Sequence, residues 1–372
     1  MAKKKYTFID LFAGCGGLSE GFLSTGRYEA LAHIEWEKPM VDTLRNRLVE
    51  KWNHSEEDAL KRVIQFDIQK TDELVHGKWS NESVCTYGKN NHPEIVSKGL
   101  CGLIKRRKVD MIIGGPPCQA YSIHGRATDK NSMQNDYRNF LFESFCRLVD
   151  IYKPEVFVFE NVAGLLSAKP GDIPVRNRIF DAFSEIGYSI LNPEDMPHAL
   201  YEAGNYNVPQ HRPRVIILGV RNGSSIKLDE LYASVSNEAS TTKQPTVRDA
   251  IGNLPALFPL DEHQAMASTR KSHMDNPDPN IYQHDARNHN AREREIFREW
   301  IDKDMNHISH KEMLRYYSEK TGHSTLFQKY KSLEWDKPSH TIVAHLSKDG
   351  YMFIHPDSKQ ARSITVREAA CL

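Results

Sequence analysis

The sequence predicts an α/β fold, a parallel sheet with helices on both faces, followed by a smaller domain of different composition. Three observations carry this. Short apolar runs of strand length alternate with segments of helical apolar spacing as far as about residue 221. Several of the strand-like runs end in a glycine turn or an acid, the pattern of a sheet whose carboxyl edge carries the site. Beyond Val220 the alternation stops, and Ser, Asn, His and charged residues dominate.

YTFIDLF reads as the first strand and ends in the glycine turn AGCGG. LSEGFLSTG continues as a short helix closed by Gly26. YEALAHIE is a second strand, Lys38 to Leu48 a helix, and VIQF a third strand ending at Asp67. Residues 69–108 are polar and read as an irregular excursion from the core. VDMIIGG is the next strand. RNFLFESFCRLVDIY follows with Phe140, Leu141, Phe145, Leu148, Val149 and Tyr152 at helical spacing. EVFVFENV is a strand, IPVRNRIFDAFSEIG a helix stopped at Gly187, and YSILN and RVIILGV are late strands.

The stretch NGSSIKLDELYASVSNEASTTKQP is linker-like, and PTVRDAIGNLPALFPL is a short helix or ordered link. From residue 258 to about 340 the chain is polar, with one helical stretch, AREREIFREWIDKDM, and no strand alternation. The last segment, from His340, regains strand-like runs and ends in the start of a helix, TVREAACL.

The 372 residues suffice for one large domain with an insertion, or for two domains. Basic and acidic residues balance at 49 each, so no global cationic field exists, although a local basic face can still bind nucleic acid. Of 17 histidines, nine (His263, His273, His284, His289, His307, His310, His323, His340 and His345) fall between Phe258 and Leu346. The six cysteines form no CxxC pair and no zinc spacing with histidine, so no metal is expected. MAKKKYTFIDLF is unlike a signal peptide, and no apolar run reaches membrane-spanning length. The expectation is a soluble cytosolic protein with reduced thiols and no membrane partner.

Five motifs carry chemistry. In FIDLFAGCGG, Gly14, Gly16 and Gly17 follow a strand and the acid Asp10, in a spacing tighter than GxGxxG. Alone, this is as readily a tight strand-to-helix turn as a ligand loop. In HIEWEK, Glu35 ends the second strand and suits a bidentate acceptor for ribose hydroxyls, with Trp36 placed to stack on a purine. Asp67 suits an exocyclic amine or, equally, a helix N-cap. Together these strand ends favour a nucleoside-containing cofactor. In GGPPCQAYS, Cys118 leaves a buried strand through two glycines and two prolines. Position alone reads it as a small packed hydrophobe. In ENV, Glu160 finishes a buried apolar strand, where an acid is costly unless paired or functional. A neighbouring strand would bring it to Cys118 as a nucleophile and carboxyl pair. In QHRPR, Arg212 and Arg214 point to one face, suited to phosphate or carboxylate, or to a solvated strand entry.

Taken in order, FIDLFAGCGG, HIEW, GGPPCQAYS, ENV, QHRPR and ITVREAA resemble the motifs of the DNA (cytosine-5) methyltransferases of bacterial type. The resemblance covers residues 6 to about 221 and again from about 330 to the end. It implies a Rossmann-like S-adenosylmethionine-dependent methyltransferase sheet with helices on both faces, plus a smaller target-recognition domain. It implies S-adenosylmethionine as cofactor, held by Asp10, Phe12, Gly14, Gly16, Leu18, Glu35, Trp36, Asp67, Pro116 and Leu141. QFDI departs from the family in lacking the glycine often found before the acid.

The resemblance makes Cys118 the nucleophile at C6 of a flipped cytosine. Glu160 becomes the group facing N3 and the exocyclic amine, and Arg212 and Arg214 the groups that stabilise the activated base. Gln119, Ser122 and Arg126 then belong to a loop that closes on DNA. The implied division is 1–222 for catalysis and cofactor, 223–335 for a linker and target recognition by His, Asn, Arg and Gln, and 336–372 for a return segment.

The expected partner is duplex DNA with a target cytosine, with a cognate restriction endonuclease beside it, in the bacterial cytosol. The family pattern continues past REAA to a Gly-Asn motif, whereas this chain stops at Leu372. The expectation is therefore a shortened chain, with a split enzyme completed by a second chain or an inactive cofactor- or DNA-binding relative as alternatives. Otherwise a monomer is expected. A transfer-RNA cytosine-5 methyltransferase is the other catalytic reading, disfavoured by the long 223–335 region.

Overall fold

A computed structural model describes residues 4–117, 141–239, 243–261, 271–343, 346, 348 and 350–372. Its chain divides into two compact units, the first spanning Met1–Tyr201 and Pro213–Asn237, the second Glu202–Arg212 and Glu238–Leu372. Compactness thus groups residues 336–372 with the chain before them, and separates Arg212 from Arg214.

The first unit begins β1 (Tyr6–Leu11), α1 (Gly17–Ser24), β2 (Tyr28–Glu35), α2 (Lys38–Glu50), α3 (Glu56–Arg62) and β3 (Val63–Gln65). It continues through α4 (Thr71–His76), α5 (Asn81–Tyr87), α6 (Pro93–Ile104), β4 (Met111–Gly114), α7 (Leu141–Tyr152) and β5 (Val156–Val162). Then come α8 (Val175–Glu185), β6 (Tyr188–Ser189), β7 (Leu200–Glu202) and, after a two-residue strand β8 (Gln210–His211), β9 (Pro213–Arg221) and α9 (Leu228–Asn237). The eight-stranded sheet runs β3-β2-β1-β4-β5-β9-β6, with β7 paired to β9 off that path.

The strands alternate faces with period two, as the pleat requires. Ile9 and Leu11 of β1, Ile112 of β4, Phe157 and Phe159 of β5 and Val215 and Ile217 of β9 enter one core. Phe8, Met111, Ile113, Val158 and Leu218, their neighbours in sequence, enter another. On the first face Phe183 of α8 stacks on Phe157 at 4.1 Å between ring centroids, and Phe145 of α7 meets Phe159 at 5.2 Å. Each such buried ring contributes roughly 1.5–3 kcal/mol, enough to hold both helices there without polar contacts. Leu18 and Phe22 of α1 and Leu231 and Tyr232 of α9 cover the other face.

Two sequence expectations need correction here. The sheet is parallel only from β3 to β5, because β9 runs antiparallel to both β5 and β6. An apolar alternation sets which side chains face inward but is blind to strand direction. Residues 69–108 are not irregular, since α4, α5 and α6 lie within them, and Leu74, Ile95, Leu100 and Ile104 join the main core. α4 and α5 are 6 and 7 residues long and end at Gly77 and Gly88, and α6 is interrupted at Gly99, so the helical period is broken along this stretch.

The second unit holds β8, α10 (Val247–Ile251), α11 (Ala291–Asp302), α12 (His310–Thr321), β10 (Ser339–His340) and α13 (Val366–Cys371). Asn290, Ser309 and Thr365 each open a helix with a reciprocal capping box, using Glu293, Glu312 and Glu368. Among the described residues the strand-like runs expected near the C-terminus yield β10, paired in parallel with β8, and isolated bridges at Ile354. The helix at TVREAACL is present.

Several residues expected to read DNA are instead interior to this unit. His273, His284 and His289 are buried, as is His355 beyond the expected recognition region. His284 bonds the Thr365 hydroxyl and the Pro255 carbonyl, and His289 bonds the Ser363 hydroxyl. Burial pushes His273, His289 and the largely covered His340 down to about 4. Burial, reinforced by Arg362, takes His355 to about 3 despite Glu368 at 3.5 Å. At the centre, Arg362 and Glu368, with 0% and 1% side-chain exposure, form a two-pronged pair at 2.7 Å. Although burial opposes it, that guanidinium holds the Glu368 carboxyl down at about 2.

Candidate active site

The turn after β1 is held in backbone shapes that few residues tolerate. Phe12 sits at φ 58°, Gly14 at 57° and Gly16 at 85°. At φ 85° Gly16 sits where other residues are strained, and a Cβ there would also lie 2.4 Å from the end of the Leu44 side chain, which would have to move. The turn is anchored across the strand ends: Ala13 N–H donates to the Ile34 carbonyl at 3.0 Å. The Glu35 carboxylate accepts from the backbone N–H groups of Gly14, Trp36 and Glu37, each at 2.8 Å. A carboxylate offers about four lone-pair sites, so Glu35 both shapes the turn and keeps about one for a ligand.

A cavity of about 460 Å³ opens at this edge. Phe12, Gly14, Glu35, Trp36, Asp67 and Leu141, all expected from the sequence, line it. So do Ile34, Glu37, Met40, Phe66, Ile68, Gly115 and Pro117, which sequence reading did not single out. Trp36 is 45% exposed at this wall. Asp67 uses Oδ1 to accept the Gln69 N–H at 3.0 Å. Among the described residues that line the cavity the formal charges are carboxylates, Glu35, Glu37 and Asp67, which suits a ligand with cationic character.

Asp10, Gly16, Leu18 and Pro116 do not line the cavity. Asp10 pairs in register with His33 of β2, and both side chains are buried on the α1 side. Ser19 of α1 donates to Asp10 at 2.5 Å and lies 3.1 Å from His33 Nδ1. Asp10 therefore acts on the turn through Ser19, tying α1 back to β1. Leu18 packs in the core beneath α1, and the Pro116 carbonyl accepts from the Asn161 side chain at 3.2 Å.

The two glycines of GGPP have separate structural reasons. β4 lies between β1 and β5, with Gly114 opposite Leu11 and Phe159. A Cβ on Gly114 would lie 2.4 Å from the Leu11 carbonyl, and one on Gly115 2.6 Å from Glu160 Oε2. The chain thus passes directly over the Glu160 carboxylate as it leaves the sheet. Arg214 of β9 reaches Glu160 Oε1 with Nε at 2.8 Å, from side chains 21% and 30% exposed. A half-open pair of this kind adds about 0–1 kcal/mol of stability, so its consequence is orientation of the carboxylate.

Cys118, Gln119, Ser122 and Arg126 lie outside the described residues. Arg212 belongs to the second unit, where its N–H donates to Glu202 at 2.6 Å and its carbonyl accepts from Ala203 at 3.2 Å. Among the described residues, no group of three or more His, Cys, Asp and Glu could hold a metal ion. Nor is any helix among them long and apolar enough to cross a membrane.

Comparison with known proteins places this geometry. The family model for C-5 cytosine-specific DNA methylase matches residues 6–372. Type II methyltransferase M.Bpa9945I of Bacillus paralicheniformis is 33% identical, over 97% of this chain and 89% of its own length. Type II methyltransferase M.AgeI of Thalassovita gelatinovora is 28% identical, over 97% of this chain and 89% of its own. Among solved structures, one described as a DNA modification methyltransferase encoded within an E. coli prophage superposes with TM-score 0.54. It covers 99% of this chain and 88% of its own at 22% identity, a likeness of fold.

Proposed function

The chain belongs to the C-5 cytosine-specific DNA methylases. On that premise we propose that it methylates C5 of a flipped cytosine in duplex DNA through a covalent bond from Cys118 to C6. One observation carries the reading: Gly115 both lines the cavity and lies against Glu160. The chain leading to Cys118 therefore borders both the cavity and the Glu160 carboxylate.

The cavity residues fit S-adenosylmethionine. Glu35 keeps an acceptor site for a ribose hydroxyl, Trp36 stands on the wall where adenine would lie, and Asp67 can accept from its amine. When bound, S-adenosylmethionine supplies the electrophilic methyl group that C5 takes up. Cytosine C5 is a poor nucleophile until the Cys118 thiolate adds to C6. That addition moves the C5–C6 π pair onto C5 as N3 gains a proton. Glu160, steadied by Arg214, faces N3 and the exocyclic amine and holds that proton in place. After methylation the C5 proton leaves to solvent and its bonding pair re-forms the C5–C6 double bond, while the C6–S bond breaks, its electron pair returns to Cys118 and N3 gives back its proton. Arg212 is the further group proposed to stabilise the activated base, and Gln119, Ser122 and Arg126 are proposed to contact the DNA. The base must leave the stack to reach these groups.

The type II relatives support a place in a restriction-modification system, with a cognate endonuclease as partner. Residues 223–335 are the proposed linker and recognition domain, and 336–372 the return segment. The test is methyl transfer from labelled S-adenosylmethionine to cytosine-containing duplex DNA and to transfer RNA. Label should appear on DNA, vanish with Cys118→Ala, and a 5-fluorocytosine duplex should trap a covalent adduct. Label confined to RNA, or an adduct that survives Cys118→Ala, overturns the proposal.

A further inference from the structure

Several apolar side chains of the second unit are exposed, and two of them, Leu326 and Phe327, are adjacent on one loop. The chain leaves α12 through Gly322, in the left-handed region at φ 74°, and re-enters the core at Tyr330. Between them Leu326 and Phe327 are 81% and 63% exposed. The loop is nonetheless built. Ser318 donates to the His323 carbonyl at 2.9 Å, and the Thr325 hydroxyl bonds both the carbonyl and the N–H of Phe327 at 3.1 Å. Gln328 donates to the Tyr330 carbonyl at 2.8 Å. At its root Tyr330 stacks on Tyr351 and meets Trp300, with centroids at 5.8 and 5.6 Å. Two large apolar side chains are therefore presented on an ordered tip.

The charge around the tip indicates what covers it. From Lys320 to Leu333 the sequence holds no Asp or Glu. Lys320 is committed to Glu295 and Glu299 at 3.3 and 2.6 Å. Lys329 is exposed, and among the described residues neither it nor Lys331 is ion-paired. Apolar side chains followed by Lys329 and Lys331, with the next acids in sequence at Glu319 and Glu334, complement duplex DNA: the cations meet phosphates and the apolar tip meets bases.

We propose that Leu326 and Phe327 form a wedge that packs on a base-pair step of the substrate duplex, with Lys329 on the adjacent backbone. This rests on the functional reading above. It makes the tip a positioning element for DNA, distinct from the groups at the reacting base.

The test is the double variant Leu326→Ser and Phe327→Ser in the full chain. It should bind duplex DNA about tenfold more weakly or worse, because stacking on bases is a substantial share of affinity. The slope of log Kd against log salt should stay unchanged, whereas Lys329→Ala should make it shallower by about one phosphate contact. S-adenosylmethionine affinity should be unaltered in both, and Phe327→Leu should restore part of the duplex affinity. Unchanged duplex affinity in the double variant overturns the wedge. So does an effect confined to self-association, seen by sedimentation, which would assign the tip to a second copy. A wild-type chain that neither binds nor labels duplex DNA overturns the functional reading and the wedge together. Wild-type methylation with an indifferent double variant overturns the wedge alone.

Discussion

In the first unit, Glu35, Glu37 and Asp67 stand at the edge of the sheet, on the wall of a cavity. In the second, Arg362, Glu368 and the buried histidines turn inward and bond one another and the backbone. The same residue types are open to a ligand in one region and consumed by the fold in the other. The contrast teaches that abundance of polar residues does not locate a site. Nine histidines in one stretch suggested a reading surface, yet the buried ones are the interior of the unit that carries them.

The strongest way to break this comparison is Glu368→Gln. It leaves the Arg362 guanidinium buried with no charge partner, which costs about 3–5 kcal/mol. Urea unfolding should show a loss of that size. A change below about 1 kcal/mol would mean that the inward network does not hold the second unit.

Next is Gly115→Ala in the first unit. Its Cβ would meet Glu160 Oε2 at 2.6 Å, so the carboxylate or the strand exit must shift. A displacement on that scale should lower the single-turnover methylation rate by about a hundredfold, with cofactor affinity much less changed. Equal losses in both would show that the glycine serves the cavity rather than the carboxylate.

The smallest effect is acid sensitivity. His273, His289 and His340 are held at about 4 and His355 at about 3, all below the ordinary value of 6.5. The unfolded chain therefore binds more protons than the folded one in that range. Their stabilisation is complete above about pH 6.5 and is lost as pH falls toward about 4. Amide exchange in the second unit should accelerate across that window. Exchange that is flat down to about pH 4.5 would remove these histidines from the account of its stability.

Much of the site was legible in the sequence because strand ends are local. An acid or a glycine closing an apolar run marks the carboxyl edge of a sheet, and Glu35, Asp67 and Gly14 meet at one cavity there. Asp10 resembled them in sequence but lies within β1, in register with His33, and is buried with Ser19. Met40 and Phe66 gave no signal, since nothing separates a cavity-lining apolar residue from a packed one until its neighbours are known.

By itself the sequence determined the alternation of strands and helices, the turns between them and the types of residue at the strand ends. Those properties depend on backbone period and on residues adjacent in the chain. Tertiary structure alone decided that β9 runs antiparallel, that Gly115 lies on Glu160 and that Arg214 steadies it. It also decided that the histidines fold inward. Each of these is a meeting of residues far apart in sequence, governed by close packing and by the cost of leaving a buried charge or polar group unpaired.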